Sequence, residues 1–221
     1  HYAPALLARV WHPLVTKALL RAHDPIVFKG GKLFELYKGK LHPSIVEAFR
    51  AILASTALSK HVQRHQRYLL VPYLQDFMAP NTCSLAGRGV DMCAHIPILC
   101  GQWARSRGWS MAAIFADVVS AFYSLVRELV VADEDLSESH ICKIMDLLEL
   151  PHDALSTLRR GLDDSSILQT LVPDPHLVSM IAAAHDTTWF IVKGAPGAVV
   201  AQTGTRPGVP LADLIFCLPH L

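Results

Sequence analysis

The sequence predicts an α+β fold that is rich in helices and has a small mixed or antiparallel sheet. Apolar residues recur every three or four positions through much of the first half, which is the spacing of amphipathic helices. β-branched and aromatic residues flank a turn in residues 188–201, which is typical of a β-hairpin. Hydrophobic residues make up 52% of the 221 residues, enough for a substantial core. We expect two regions, residues 1–110 and 111–221.

The first half is expected to contain helices around one basic hairpin. Its three predicted helices cover residues 5–23, 43–70 (with a break near Ser55-Thr56) and 90–107. Pro72 is expected to stop the second helix, and Gly108 is expected to close the third as its C-cap glycine. Residues 26–37 predict two short strands around a Gly30-Gly31 turn.

The second half is expected to begin with a buried strand that ends at Asp117. A helix is predicted from Ser120 to Val131, and short helices are predicted over residues 136–184, with breaks at Pro151 and at residues 173–175. The hairpin at 188–201 follows, and a last helix is predicted to begin near Leu211.

Composition excludes several classes of protein. The formal net charge is +1, so the overall charge gives no argument for nucleic acid, although lysines and arginines cluster locally near residues 29–40 and 60–67. The five cysteines form no CxxC pair, which argues against a disulfide scaffold or a zinc module. No apolar run is long enough for a membrane span, and the N-terminus has no signal-peptide pattern, so no membrane partner is expected.

The apolar run 111–116 ends in Asp117, and Phe122 follows five positions later. A carboxylate at the end of a buried strand is exposed at the sheet edge, where it can act as a hard oxygen ligand for Mg²⁺. The alternative is that Asp117 caps the following helix and that Phe122 belongs to the core.

A second motif lies about eighty residues further on, at residues 204–213, with the sequence GTRPGVPLAD. In this order the two motifs resemble the first two palm motifs of reverse transcriptases, most closely those of non-LTR retroelements. In that family, a glycine in the second motif lets the backbone approach template and nucleotide, and Gly208 matches it. This chain has Pro207 where the family commonly has Gln, and Val209 where an acidic or small residue is frequent.

Two upstream segments resemble the same family. Residues 47–53 are similar to its fingers segment, in which an arginine contacts the triphosphate of the incoming nucleotide, and Arg50 is the matching position. A guanidinium suits this role because its donors bridge phosphate oxygens. Residues 87–91 are similar to the loop before the catalytic strand. The alternatives are a solvated helix arginine at Arg50 and, at residues 87–91, a simple turn with Asp91 as a helix cap.

The resemblance covers roughly residues 29–216 and implies the fingers and partial palm of an RNA-directed DNA polymerase. It implies that Asp117 is catalytic and, with the carbonyl of Val118, binds Mg²⁺, and that Phe122 selects the sugar of the incoming nucleotide. Arg50 and Gly208 would complete the nucleotide site. Template or nucleotide contacts are implied for three further residues: Lys60, Arg88 and Arg206. The implied partners are an RNA or DNA template with its primer and deoxynucleoside triphosphates, in the nucleus or cytoplasm.

The second pair of catalytic carboxylates, which the family carries after the Leu211 helix, is absent from this sequence, so the chain is expected to be inactive alone. Asp163-Asp164 precedes the second motif and lacks apolar flanks, and we interpret it as a solvated helix end. Two other hypotheses remain. The chain is a non-catalytic, decayed or domesticated polymerase-fold module that binds nucleic acid or protein, or it is an α-rich protein in which the matches are accidental.

Overall fold

The computed structural model describes residues 4–78, 89–114, 121–131, 138–147 and 166–220, together with isolated positions between 154 and 160. The helices in these ranges are α1 (Pro4–Arg21), α2 (Ala57–Leu74), α3 (Val90–Ser106), α4 (Arg127–Val130), α5 (Glu138–Leu147), α6 (Ile167–Leu171), α7 (Pro175–His185) and α8 (Ala212–Cys217). Short 3₁₀ turns lie at Ile26–Phe28, Val46–Ala48 and Leu218–His220. In the described residues, no helix has the length and apolar character needed to cross a membrane.

Four strands form one mixed sheet in the order β2-β1-β3-β4. The strands are β1 (Gly30–Tyr37), β2 (Phe49–Ser55), β3 (Trp189–Val192) and β4 (Ala198–Val200). β1 pairs antiparallel with β2 and parallel with β3, and β3 pairs antiparallel with β4. The prediction of a helix-rich α+β chain with a small mixed sheet is therefore confirmed.

The two faces of the sheet differ in burial because successive side chains of a strand point to opposite faces. Leu53 of β2 is buried, whereas its neighbours Ile52 and Ala54 are exposed. The register pairs Phe34 with Ile52 and Leu36 with Arg50, and all four of these residues are exposed. One face of the β1–β2 pair is therefore open to solvent.

The core is formed mainly by α2, α7 and α8. Its fully buried large side chains come from these helices and the segments next to them: Leu70, Leu74, Leu168, Leu177, Ile181, Leu211, Leu214, Ile215 and Leu218. The last helix of the chain, α8, is thus held inside the fold, and the loop that leads into it is held there as well.

The predicted hairpin over residues 26–37 is wrong. Gly30 and Gly31 form the start of a single strand, β1, and a 3₁₀ turn precedes them. A Cβ on Gly30 would clash with the carbonyl oxygen of Trp189, and one on Gly31 would clash with that of Ala54. The two glycines therefore permit close strand approach on both sides of β1.

The prediction of one helix over residues 43–70 is also wrong. Residues 49–55 form β2, because their side chains pair across β1 and this tertiary pairing overrides the helical spacing. The predicted break near Ser55-Thr56 is the real boundary: the Thr56 hydroxyl accepts a hydrogen bond from the Ser59 amide at 3.2 Å and caps α2. Pro72 lies inside the last turn of α2, which continues to Leu74.

Several other predicted elements are confirmed, but the buried strand predicted to end at Asp117 is not: its described residues, 111–114, are exposed and form no strand. α1 and α3 lie where the spacing predicts them, and Gly108 follows α3 with a φ of +69°. α7 begins at Pro175, where the Asp174 side chain accepts hydrogen bonds from two helix amides. The hairpin β3–β4 also forms as predicted. In contrast, the helix predicted for 120–131 is limited to α4, since residues 121–124 form a turn and bend.

Candidate functional site

Three segments that are far apart in the sequence meet beside β2. The Thr205 amide donates a hydrogen bond to the Phe122 carbonyl at 2.6 Å, and the Tyr123 hydroxyl donates to the Ala51 carbonyl at 3.0 Å. The Leu53 amide donates to the Pro207 carbonyl at 3.2 Å. The segment after Asp117, the fingers-like strand and the GTRPG loop are therefore in direct contact.

These contacts cover the free edge of β2, the outermost strand on its side of the sheet. Backbone groups on an edge strand otherwise remain unpaired, and Ala51 and Leu53 find their partners in Tyr123 and Pro207. Residues 121–125 and 203–210 thus pack along the edge of β2. We call the second of these segments, residues 203–210, the anchored loop.

Gly204 is required where the anchored loop crosses the Phe122 segment. Its φ is +79°, and a Cβ there would lie 2.6 Å from the Phe122 carbonyl oxygen and 2.7 Å from the Tyr123 Cα. The Gly204 amide also donates to the Leu125 carbonyl at 2.8 Å. Sequence reasoning singled out Gly208 and missed Gly204, although the spacing of two glycines four residues apart was visible.

Gly208 lies at the exposed turn of the anchored loop. Its φ is +97°, and a Cβ would lie 3.1 Å from the Leu53 carbonyl oxygen and 3.6 Å from the Ile52 side chain. Any side chain would be strained there and would press on β2. The backbone of Gly208 is therefore both exposed and held close to the strand that carries Arg50.

Arg50 and Phe122 are positioned by different elements. Arg50 is exposed on β2, on the same face as Ile52, which adjoins Gly208. Phe122 is half-buried, and its ring packs against Phe216 of α8 with a centroid distance of 5.4 Å. Phe122 is thus packed against α8 beside the anchored loop and keeps part of its surface exposed.

Arg206 is inside the protein, which corrects the prediction that it contacts template or nucleotide. Its residue surface is only 5% exposed. The guanidinium donates from Nη1 to the Phe28 carbonyl at 2.9 Å and from Nη2 to the Ala184 carbonyl at 2.7 Å. Burial lowers its pKa to about 10, and the nearby Asp24 carboxylate opposes this shift. The sequence does not distinguish a buried arginine from an exposed one in a loop.

A second buried polar group, His185, ends α7 next to Ala184. It is 4% exposed, and its Nδ1 lies 2.8 Å from the Ile181 carbonyl oxygen. Burial, with a further contribution from the Arg206 charge, lowers the pKa of His185 to about 3. The imidazole is therefore neutral at pH 7 and donates from Nδ1 to Ile181. Sequence reasoning had not assigned it a role.

Arg67 of α2 holds the end of the anchored loop. Its Nη1 donates to the Pro210 carbonyl at 2.6 Å and to the Asp213 carboxylate at 2.5 Å. Lys60, one helix turn from the start of α2, is half-buried. The predicted site residues Arg88, Asp117 and Val118 lie outside the described residues, so their assignments remain predictions.

The predicted Mg²⁺ site rests on Asp117 and Val118, and in the part of the chain that the structure describes, no group of three or more His, Cys, Asp or Glu side chains could hold a metal ion. No known protein family and no curated protein sequence matches the chain. The geometry of the converging segments is therefore the main basis for any functional proposal.

Proposed function

We propose that the chain is the fingers and partial palm of a retroelement reverse transcriptase, and that the region beside β2 binds template and the incoming nucleotide. The observation that carries the proposal is the convergence of three matched segments. Arg50, Phe122 and Gly208 are separated by 72 and 86 positions in the sequence, yet hydrogen bonds join residues within three positions of each of them. Accidental matches to a family would not be expected to meet in this way.

The open face of the sheet suits a nucleic-acid ligand. On the described strands this face carries Lys32 and Arg50 and no carboxylate, since Glu35 lies on the opposite face of β1. The Lys32 ammonium lies 5.2 Å from the centre of the exposed Phe34 ring. Cations beside exposed aromatic rings favour contacts with phosphates and stacked bases.

In the proposed site each described residue has a role that its position permits. The exposed guanidinium of Arg50 would pair with phosphate oxygens. The ring of Phe122, fixed by Phe216, would pack against the sugar. The absence of a side chain at Gly208 would let template base and nucleotide approach the backbone. Mg²⁺ would be held by Asp117 and Val118 in the intact polymerase and would supply the charge that activates the primer hydroxyl.

The test is binding of a fluorescein-labelled primer–template duplex to the chain, measured by fluorescence anisotropy with and without the complementary deoxynucleoside triphosphate. In the wild type, the nucleotide is expected to raise the affinity for the duplex. Arg50→Ala is expected to make this increase about tenfold smaller, because a charged hydrogen-bonding group is lost. The matched control is Arg105→Ala, an exposed arginine on α3, which is expected to leave this increase unchanged.

Other outcomes would contradict the proposal. Duplex binding that does not respond to nucleotide, Mg²⁺ or an Asp117→Asn change would favour a non-catalytic binding module. Failure to bind the duplex at low salt, where phosphate contacts are strongest, would indicate that the motif matches are accidental.

A further inference from the structure

The anchored loop has no regular secondary structure, yet hydrogen bonds connect its residues to several different elements. Its first residues bond to segment 121–125, Pro207 bonds to β2, and Pro210 bonds to Arg67 of α2. In the middle, Thr205, Arg206 and Val209 are buried, and the Arg206 guanidinium donates hydrogen bonds to carbonyls outside the loop. What Arg206 contacts therefore contributes to the position of the loop.

Arg206 joins two backbone carbonyls from separate elements. Phe28 belongs to the 3₁₀ turn before β1, and Ala184 belongs to the last turn of α7. The carbonyls in the last turn of a helix lack helical partners and carry partial negative charge, so a guanidinium stabilises them. The buried carboxylate of Asp24 lies close enough for its charge to act on Arg206.

A second arginine contacts the adjacent carbonyl of the same helix end. Arg127, the first residue of α4, donates to the His185 carbonyl at 2.6 Å and to the Thr188 hydroxyl at 3.0 Å. It also donates to the Ala201 carbonyl at 2.5 Å, two residues before the anchored loop. Arg127 thus connects the segment that follows Phe122 to both ends of the β3–β4 hairpin.

We propose that Arg206 and Arg127 are positioning residues. By donating hydrogen bonds to carbonyls at the C-terminal end of α7, they fix the Gly208 backbone and the Phe122 ring relative to each other. The inference deepens the proposed function and rests on it for its consequence in nucleotide binding. Neither arginine is a catalytic residue, because Arg206 is buried and the donors of Arg127 are directed at protein carbonyls and Thr188. They act through the loop and the turn that they fix.

The variant that tests the proposal is Arg206→Lys. An ammonium keeps the positive charge beside Asp24 but lacks the planar fork that reaches two carbonyls at once. We expect hydrogen–deuterium exchange in peptides spanning 203–208 to rise about tenfold, the effect of losing one charged hydrogen bond. Peptides from the core of α2 are expected to keep their exchange rates. The nucleotide-dependent increase in primer–template affinity is expected to fall by a similar factor.

Arg67→Lys is the matched control, because Arg67 is also an arginine that donates to a carbonyl of the anchored loop, at Pro210. It is expected to speed exchange in α8 and to leave peptides spanning 203–208 nearly unchanged. Arg127→Lys provides the second test if Arg206→Lys does not fold. It is expected to loosen the same 203–208 segment through Ala201.

Two results would overturn the proposal. Exchange that rises uniformly over α2, α7 and the loop would assign the arginines to global stability alone. Exchange that stays unchanged at 203–208 in both variants would show that the loop is held without them. If the parent chain binds no primer–template, the proposed function fails, while the exchange result still decides whether the arginines position the loop.

Discussion

α2 and α3 are helices of nearly equal length that the same apolar spacing predicts, and the structure uses them in opposite ways. α2 buries six of its residues, including the polar Ser59, Gln63 and Gln66, against α7 and the turn before β1. In α3, Ala104 alone is buried among the side chains that the structure describes, and Leu99 and Trp103 are more than half exposed. A helical pattern predicts the element, whereas its burial depends on neighbours that lie elsewhere in the sequence.

The segments that accompany the two helices differ in the same way. The anchored loop is fixed to α2 and its neighbours by main-chain and arginine hydrogen bonds. α3 ends in a local motif instead: the Trp109 amide donates to the Ala104 carbonyl at 2.9 Å and the Gly108 amide to Arg105 at 3.1 Å, and the Trp109 ring packs on Trp103. One region is held by long-range contacts and the other by local ones.

The largest expected difference between the two regions is in the cost of removing a leucine. Leu70→Ala removes a fully buried side chain of α2 and is expected to lower the free energy of unfolding by about 4 kcal/mol. Leu99→Ala on α3, where the side chain is 60% exposed, is expected to change it by less than about 0.5 kcal/mol. Urea unfolding of both variants measures the difference. Equal losses would mean that α3 is covered in solution.

The next difference concerns two glycines with positive φ. Gly204→Ala is expected to cost about 3 kcal/mol, because the residue has a φ of +79° and its Cβ would meet the Phe122 and Tyr123 backbone. Gly108→Ala has a similar φ of +69° but nothing within 4 Å of the added carbon, so it is expected to cost about 1 kcal/mol.

Thermal or urea unfolding of the two variants separates backbone strain from contact. If Gly204→Ala were no more destabilising than Gly108→Ala, the crossing of the anchored loop over residues 122–123 would be loose, and the convergence of the three segments would lose its support.

The sequence predicts elements whose signals are local and misses those that distant contacts decide. Periodicity placed α1 and α3, and turn chemistry placed the β3–β4 hairpin, because these signals are local. Residues 49–55 have helical spacing but form β2, since pairing with β1 is decided by a distant strand. Charge alone could not separate Arg50, which is exposed on the sheet, from Arg206, which is buried. The Phe122 and Gly208 segments were predicted from motif order, whereas Gly204, Arg127 and His185 needed their spatial neighbours.

The pH dependence of stability gives a smaller but specific test of the region around the end of α7, which is held by long-range contacts. Because burial lowers the pKa of His185 to about 3, the folded chain excludes a proton that the unfolded chain binds below pH 6.5. His185 is therefore neutral in both states above that pH and costs nothing there. As the pH falls from 6.5 towards 3, it is expected to reduce the free energy of unfolding by about 1.4 kcal/mol per pH unit.

Urea unfolding at pH 7.5, 6.0 and 5.0 can isolate this contribution with His185→Asn, whose amide keeps a donor for the Ile181 carbonyl but does not titrate. The free energy of unfolding of the variant is expected to fall less steeply with pH than that of the wild type. The slopes are expected to differ by up to one proton, which is about 1.4 kcal/mol per pH unit. His95→Asn, at an exposed position of α3, is the matched control and is expected to keep the wild-type slope. If the slope in His185→Asn equals that of the wild type, the end of α7 is open to water. The carbonyls that accept hydrogen bonds from Arg127 and Arg206 would then not be shielded from solvent.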